Sequence, residues 1–549
     1  MIKDFEFKNT DTRLRRYIVP KRIVKTEGKV ENAELLLEYR NRQIQLYESK
    51  LVTMTTEGDV KAGILLDFGS ELHGGAAISV YGIGKAPFQK LRLCFGESVS
   101  EALSHIGEKG ACNDHVARDY TVEVKPYSTN EYGNTGYRFL YIELLSEGTV
   151  TLAAAQGIFV YEPLAYKGSF DCSDPLLNKI YDVSAYTCHL CIQNEIWDGI
   201  KRDRLVWVGD MSPEMKTIKY VWGDIPHFYR ALALSAEDTP LPLWINRIPT
   251  YSLWWLIILD EWCFYTGKKE YITEQKKYIA ELTRQVLDCI DENGVFTAGN
   301  FLDWPTKGFD ASTAGVKGLT KMALEASARM LHYLDEKTLA KECESKLEVF
   351  EGQKESSGGF KQIAAFLALN ELNDDECLKV LKEGGAKGFS TFMSYYILKA
   401  MTKCCTANEI FDALKEYYGA MLDMGATTFW EDFDIEWAKN ACPIDEIPDG
   451  ERSDIHGDNG KYCYLGFRHS LCHGWSSGPV PFLTEYVLGI EILEEGCKAI
   501  KITPHLGELA YAKGSIATPF GKLEVEHTKN EEGIINTVVN SPEEIRIEF

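Results

Sequence analysis

The chain changes texture twice, and this pattern constrains its fold more than any single motif. From about residue 166 to about residue 490, apolar residues recur at helical spacing. The runs PEMKTIKYVWGDIPHFYRALALS, KEYITEQKKYIAELTRQVLDCI, GLTKMALEASARMLHYLDEKTLAKECESKLEVF and FSTFMSYYILKAMTKC carry it. The first helix has its start signals in place: Ser173 or Asp174 as N-cap, and Pro175 in the first turn. The spacing gives roughly ten to twelve helices. Short loops join them, so sequential neighbours should form antiparallel hairpins. That number suits a closed ring of six inner and six outer helices, although periodicity does not show whether a ring closes.

Both flanks read as β. Residues 1–165 hold short β-branched and aromatic runs between turn residues, such as ILLDFGSELHGGAAISVYGIG, LRLCFGESV and FLYIELLSEGTVTLAAAQGIFV. A β-sandwich is the expected form. Residues 491–549 alternate apolar and polar positions between Gly, Pro and Asn turns. This stretch is too short for a large independent domain, so a small β domain packed on the helices is expected. The fold class is therefore multidomain α plus β, a helical domain (166–490) between two β domains. At 549 residues the chain exceeds one ordinary core, which agrees with that division.

Charge narrows the partners. The formal net charge of −23 argues against nucleic acid and anionic membrane, which need clustered Lys and Arg. A neutral sugar is not repelled by it. No apolar run approaches the 18 residues of a membrane span. MIKDFEFKNTDTRLRRYIVPKR lacks the apolar core of a secretory signal. The 15 cysteines, an odd number, suit a reducing compartment, so the expected location is cytoplasmic. A homo-oligomer stays open. There is no P-loop, and no dinucleotide fingerprint in a strand–helix context. No cofactor is expected.

Four segments carry groups able to do chemistry. WDGIKRDRLVWVGD places Asp198, Asp203 and Asp210 among Lys201, Arg202 and Arg204, with Trp197 and Trp207 alongside. Gly199 and Gly209 favour a loop. As a helix, the segment would put Asp203, Trp207 and Asp210 on one face. Its bland reading is a salt-bridged surface turn. Its functional reading is a sugar site, with one apolar wall and one that accepts hydroxyl protons. DMGATTFWEDFD sets Glu431 beside Trp430, followed by Asp432 and Asp434. A carboxyl against an indole is partly desolvated, which suits acid–base work, while an acidic helix start is the plain alternative. FRHSLCHGWSSGP offers His469, His473 and Trp475 for a polar pocket. Without HExxH or a cysteine at ligand spacing, metal is not expected there. FLDWPTK places Asp303 and Trp304 in a loop before a proline. Trp254 and Trp255 read as core.

DGIKRDRLVWVGD resembles the signature of the α-L-rhamnosidases of glycoside hydrolase family 78. GATTFWEDFD, SLCHGWSSGPVPFL and LDWPTK are similar to further family segments in the same order, as are LLDFG near residue 65 and the ITPHLG…ATPFG tail. The resemblance spans about residue 60 to the end. It implies an (α/α)6 barrel between β-sandwich domains and hydrolysis with inversion. It also implies a terminal α-L-rhamnose or related sugar as substrate, no cofactor, and Asp203 as general acid with Glu431 as general base. Asp198 and Asp210 would grip sugar hydroxyls. Trp207, Trp304 and His473 would line the pocket, with Asp303 and Trp430 from the same motifs beside them. One departure stands out: many members carry Glu where this chain has Asp203. The side chain is a methylene shorter, and Arg204 next to it favours the charged form. The alternatives are a carbohydrate-binding protein without turnover, or another helical-barrel glycosidase or phosphorylase.

Overall fold

The computed structural model describes residues 11–41, 43–84, 86–373 and 375–549. Nine strands between Leu14 and Tyr161 form one antiparallel sheet. Its spine is the 22-residue strand Ala62–Ile83. That strand pairs with Ser128–Leu144 and with Gly148–Tyr161, and its register shifts between Asp67 and Leu72 and between Gly74 and Ala76. Such irregularities let a long strand bend. One face buries Ile64, Leu66, Phe68, Ile78, Leu93 and Phe95. On the other face Leu65, Phe139 and Tyr141 pack with Val99 and Ala102 of the short helix Val99–Leu103. The β domain expected from the sequence is thus one continuous hydrogen-bonded sheet.

The helical ring closes. Met211–Val221, Pro249–Thr266, Ser312–Tyr333, Lys361–Leu369, Ser394–Met401 and Pro479–Phe482 touch one another in that order, and the last touches the first. Outside them lie Pro175–Cys191, Pro226–Glu237, Lys276–Asp288, Lys337–Leu347, Asp375–Lys382 and Ala407–Asp423. The two layers differ in sequence for a physical reason. Pro249–Thr266 is covered on nearly all sides, with Phe264 exposed, and buries Trp254, Trp255 and Trp262 completely. Outer helices such as Lys276–Asp288 bury one stripe only, Ile279, Ala280, Leu282, Thr283 and Val286.

Local signals set the helix ends. Asp174 accepts the N–H groups of Leu176 and Leu177 ahead of Pro175, and Thr406 and Glu409 form a capping box. Three long periodic runs each break into two helices. PEMKTIKYVWGDIPHFYRALALS is cut at Trp222 and Gly223, where φ is +85° at the glycine, and resumes at Pro226. The run around Lys276 is cut at Gln275, and the one around Asp335 at residues 334–336. The C-terminal strands form two small sheets. The larger, Tyr511–Thr518 with Gly521–Lys529 and Ile535–Asn540, takes a fourth strand from Ser169–Cys172, just before the barrel.

Candidate active site

One end of the barrel gathers the predicted groups. The outer helix Pro175–Cys191 ends there and the inner helix Met211–Val221 begins there. Between them, residues 192–210 form an irregular loop rather than a helix. Asp198 N–H donates to Leu205 O (3.1 Å), and Leu205 N–H returns to Asp198 Oδ1 (3.0 Å), cinching the turn that holds Asp203. Gly199 bridges to His473, where a side chain at residue 199 would sit 3.0 Å from Cys472 O. The β sheet also reaches this loop: Gly136 N–H donates to Ile200 O (2.8 Å).

Arg202 organises the two candidate catalytic carboxyls. Its Nη2 donates to both oxygens of Glu431 at 2.6 Å, and its Nη1 to Asp203 Oδ1 at 2.9 Å. Its Nε is held by Arg468 O at 2.9 Å. Bonds from the two arms of one rigid guanidinium hold the two carboxyls on the same side chain. Arg204, expected to act on Asp203, instead donates to Asn134 O (2.8 Å) and lies over the Trp197 ring. Asp203 and Arg204 both take positive φ, +49° and +57°. This conformation costs a non-glycine residue about 1–2 kcal/mol.

Glu431 is 3% exposed. The strand-like pairing of Glu431 N–H with Ser470 O (3.0 Å) and of His473 N–H with Phe429 O (3.1 Å) sets the segment against residues 469–473. Burial raises the Glu431 pKa above the usual carboxylate value, and Arg202 opposes that rise. His473 faces three acids: its Nε2 lies 3.5 Å from Glu431 Oε1, 3.7 Å from Asp198 Oδ2 and 3.8 Å from Asp210 Oδ2. These gaps are too long for good hydrogen bonds and leave polar atoms to serve hydroxyls. Burial pushes the pKa values of Asp198 and Asp210 far up, and that of His473 far down. Neutral carboxyls both donate and accept, which matches a sugar hydroxyl. Tyr251 OH donates to Asp210 Oδ1 (2.8 Å).

The remaining predicted residues fall around this centre in different ways. Asp303 caps the turn Trp304–Thr306, accepting the Trp304 N–H (2.7 Å) and the Ser390 hydroxyl, and burial raises its pKa to about 7. Trp304 stacks on Tyr462 and meets Tyr464 edge-on. Trp207 is half-buried against Tyr251. Trp430 is buried at 1% exposure against Phe433, with His469 beyond, so its surroundings are those of a core residue. His469 accepts Asp432 N–H through Nε2 (2.9 Å) in a non-helical stretch, and does not share a helix face with His473. The crevice between Trp304, Tyr464, Trp475 and Glu431 has room for about one water molecule.

Sequence reasoning missed several contributors. Among the described residues the buried Glu214 carboxyl has no hydrogen-bond partner, and burial raises its pKa well above the usual carboxylate value. A side chain at Gly474 would collide with it at 1.6 Å. Its helical spacing of four from Asp210 was the one available signal. Tyr251, Tyr464 and His115 come from distant segments and had none. Gly474 to Gly478 also fits a Gly-x-Ser-x-Gly pattern, but Ser476 Oγ is bonded to Trp430 O, so it forms no nucleophile elbow. Glu97, Glu101 and His456 stand close enough to share a cation. Lys201 supplies the positive charge there, at 2.8 Å from Glu101 and 3.3 Å from Glu97.

Residues 165–336 match the bacterial α-L-rhamnosidase six-hairpin glycosidase domain. The structure superposes on a family 78 rhamnosidase of Bacillus sp. GL1 with a TM-score of 0.74 at 20% identity, covering 94% of this chain and 55% of that one. A rhamnosidase of Klebsiella oxytoca, solved with rhamnose bound, gives 0.64 at 20% identity over 86% of this chain and 96% of that one. An α-L-rhamnosidase of Aspergillus terreus gives 0.68 at 17% identity over 90% and 60%. The chain thus spans little more than half the length of the Bacillus protein. No curated protein matches the sequence.

Proposed function

We propose that this α-L-rhamnosidase-like chain is a glycoside hydrolase that removes terminal α-L-rhamnose, or a close relative, with inversion at the anomeric carbon. Two carboxyls joined by one guanidinium, beside a buried cluster of hydroxyl-binding acids, support the reading most directly. Asp203 protonates the leaving oxygen. Glu431, held charged by Arg202, takes a proton from the water that attacks from the opposite face. Inverting pairs stand roughly 6.5–9.5 Å apart to admit that water. Asp198, Asp210 and His473 hold the ring hydroxyls, while Trp207 and Trp304 offer apolar faces. No step calls for a metal or an organic cofactor.

Proton NMR of the protein with an aryl α-L-rhamnoside tests this. The first sugar released should be β-L-rhamnose, and Glu431→Gln should lower kcat by about 10²–10⁴-fold with little change in KM. Early α-anomer would rule out inversion. Binding without release would leave a carbohydrate-binding protein, and no interaction would redirect the search to other sugars.

A further inference from the structure

The inner helices leave a second cavity towards their C-terminal ends, opposite the end that bears Asp210. It encloses about 700 Å³, within the roughly 300–1,000 Å³ typical of small-molecule sites. It shares no lining residue with the crevice at Glu431. Lys219, on its wall, stands about 14 Å from Asp210 along the helix Met211–Val221, at about 1.5 Å per residue. Five cations face the cavity: Lys216, Lys219, Arg329, Lys399 and Lys501. Four of them have an acid. Lys216 donates to Glu261. Arg329 donates to Asp260 Oδ2 through Nε (2.9 Å) and Nη2 (2.7 Å). Lys399 donates to Glu485 Oε2 at 3.1 Å. Lys501 stands opposite Glu491 where Ala499–Ile502 pairs with Ile490–Ile492. Lys219 is left over. Its Nζ lies 4.0 Å from Glu485 Oε1, beyond hydrogen-bond length. That oxygen already accepts the Tyr220 hydroxyl at 2.9 Å. Among the described residues, the Lys219 ammonium therefore has no hydrogen-bond acceptor. Its side chain is only 12% exposed. Burial lowers its pKa, and Lys216 nearby adds to the effect.

We propose that this cavity is a second binding site, separate from the candidate active site, for a small organic oxyanion held by Lys219. A buried ammonium without an acceptor is costly, and an anion supplies the missing partner. A phosphate or carboxylate oxygen accepts a charge-assisted hydrogen bond from Lys219 and offsets the repulsion between Lys219 and Lys216. The acids around the cavity do not bar it, because each already faces a cation of its own. Arg329 and Lys399, at 60% and 48% exposure, add positive charge on the solvent side. Phe264, 41% exposed, and Tyr265 give an apolar wall for the carbon body of the ligand. The chain as a whole carries −23 and repels anions, so capture depends on this local charge.

Calorimetric titration of the full chain with inorganic phosphate, and separately with acetate, at fixed ionic strength tests the proposal. At least one of the two should bind saturably, with one anion per chain. Tighter phosphate would point to a phosphate ester as the ligand, and tighter acetate to a carboxylate. Lys219→Met should weaken the binding by about tenfold or more, the worth of one hydrogen bond to a charged group. Lys219→Arg, which keeps the charge, should retain part of it. The fold should survive Lys219→Met, because Glu485 keeps Lys399 and the hydroxyls of Tyr220 and Tyr395. Thermal melts check that. If the variant does not fold, ¹⁵N spectra of lysine-labelled wild-type protein decide instead: the Lys219 ammonium signal, assigned through Lys219→Arg, should move as phosphate or acetate is added. No saturable binding of either anion overturns the proposal, as does an unmoved Lys219 signal. Binding that survives Lys219→Met but is lost in Arg202→Met would place the anion at the candidate active site and overturn it too.

Discussion

Arg202 is the residue on which both candidate catalytic groups depend, because it touches each of them and is itself fixed by Arg468 O. Its charge opposes the effect of burial on Glu431. A base works only when charged, so activity falls as pH drops through the Glu431 pKa. Removing the guanidinium raises that pKa further. In Arg202→Met the acidic limb of kcat/KM against pH should move to higher pH, and the rate at pH 5 should fall by about 10²-fold as both carboxyls lose their anchor. An unmoved limb would mean that Glu431 does not titrate in that profile. The sequence showed Asp203, Glu431 and their cationic neighbours, but it pointed to Arg204 as the cation beside Asp203. Adjacent side chains on an irregular loop diverge, and the left-handed backbone at both positions sends Arg204 to Asn134 instead.

At the level of elements, the loop 192–210 depends on its neighbours for shape. It lacks a regular hydrogen-bond ladder and is braced by Asp198, by His473 and by the sheet strand Ser128–Leu144. Gly136 makes the last contact possible. A Cβ there would lie 2.9 Å from Lys201 N and 3.0 Å from Ile200 C, backbone atoms that yield only if the loop moves. Gly136→Ala should therefore displace the loop that bears Asp203 and lower kcat by about 10–10²-fold, with a smaller effect on the melting temperature. Wild-type kinetics from this variant would show that the sheet does not set the loop. The helices themselves were readable from their spacing and caps. The breaks within three long runs were not, because a period continues in the pattern even where the chain turns.

Across the whole molecule, the β domain and the barrel share a buried ionic network. Lys201 Nζ reaches Glu97 and Glu101 of the β domain and donates to Phe467 O (2.6 Å) and His469 O (2.8 Å) of the barrel. Glu97 returns to the barrel by accepting Leu471 N–H (2.7 Å). Taking one partner out of such a pair leaves a buried charge unmatched, at a cost of about 3–5 kcal/mol. Lys201→Met should lower the stability of the chain by that much in denaturant melts, with the near-ultraviolet signals of both domains affected. A loss under about 1 kcal/mol would show that the network contributes little to holding them together.

The sequence by itself determined what repeats locally: the β–helical–β order, the helix start at Asp174, the core role of Trp254 and Trp255, and the candidate residues Asp198, Asp203, Asp210, Asp303, Glu431 and His473. These are legible because period, cap and motif act over a few residues. The tertiary structure decided what depends on contacts across the chain. It closed the ring through the touch of Pro479–Phe482 on Met211–Val221. It buried Trp430 as core, recruited Glu214 to the acid cluster, and brought His115 to Asp203 from 88 residues away. Those pairings are fixed by packing and by the burial of charge, and neither leaves a mark in the spacing of the residues involved.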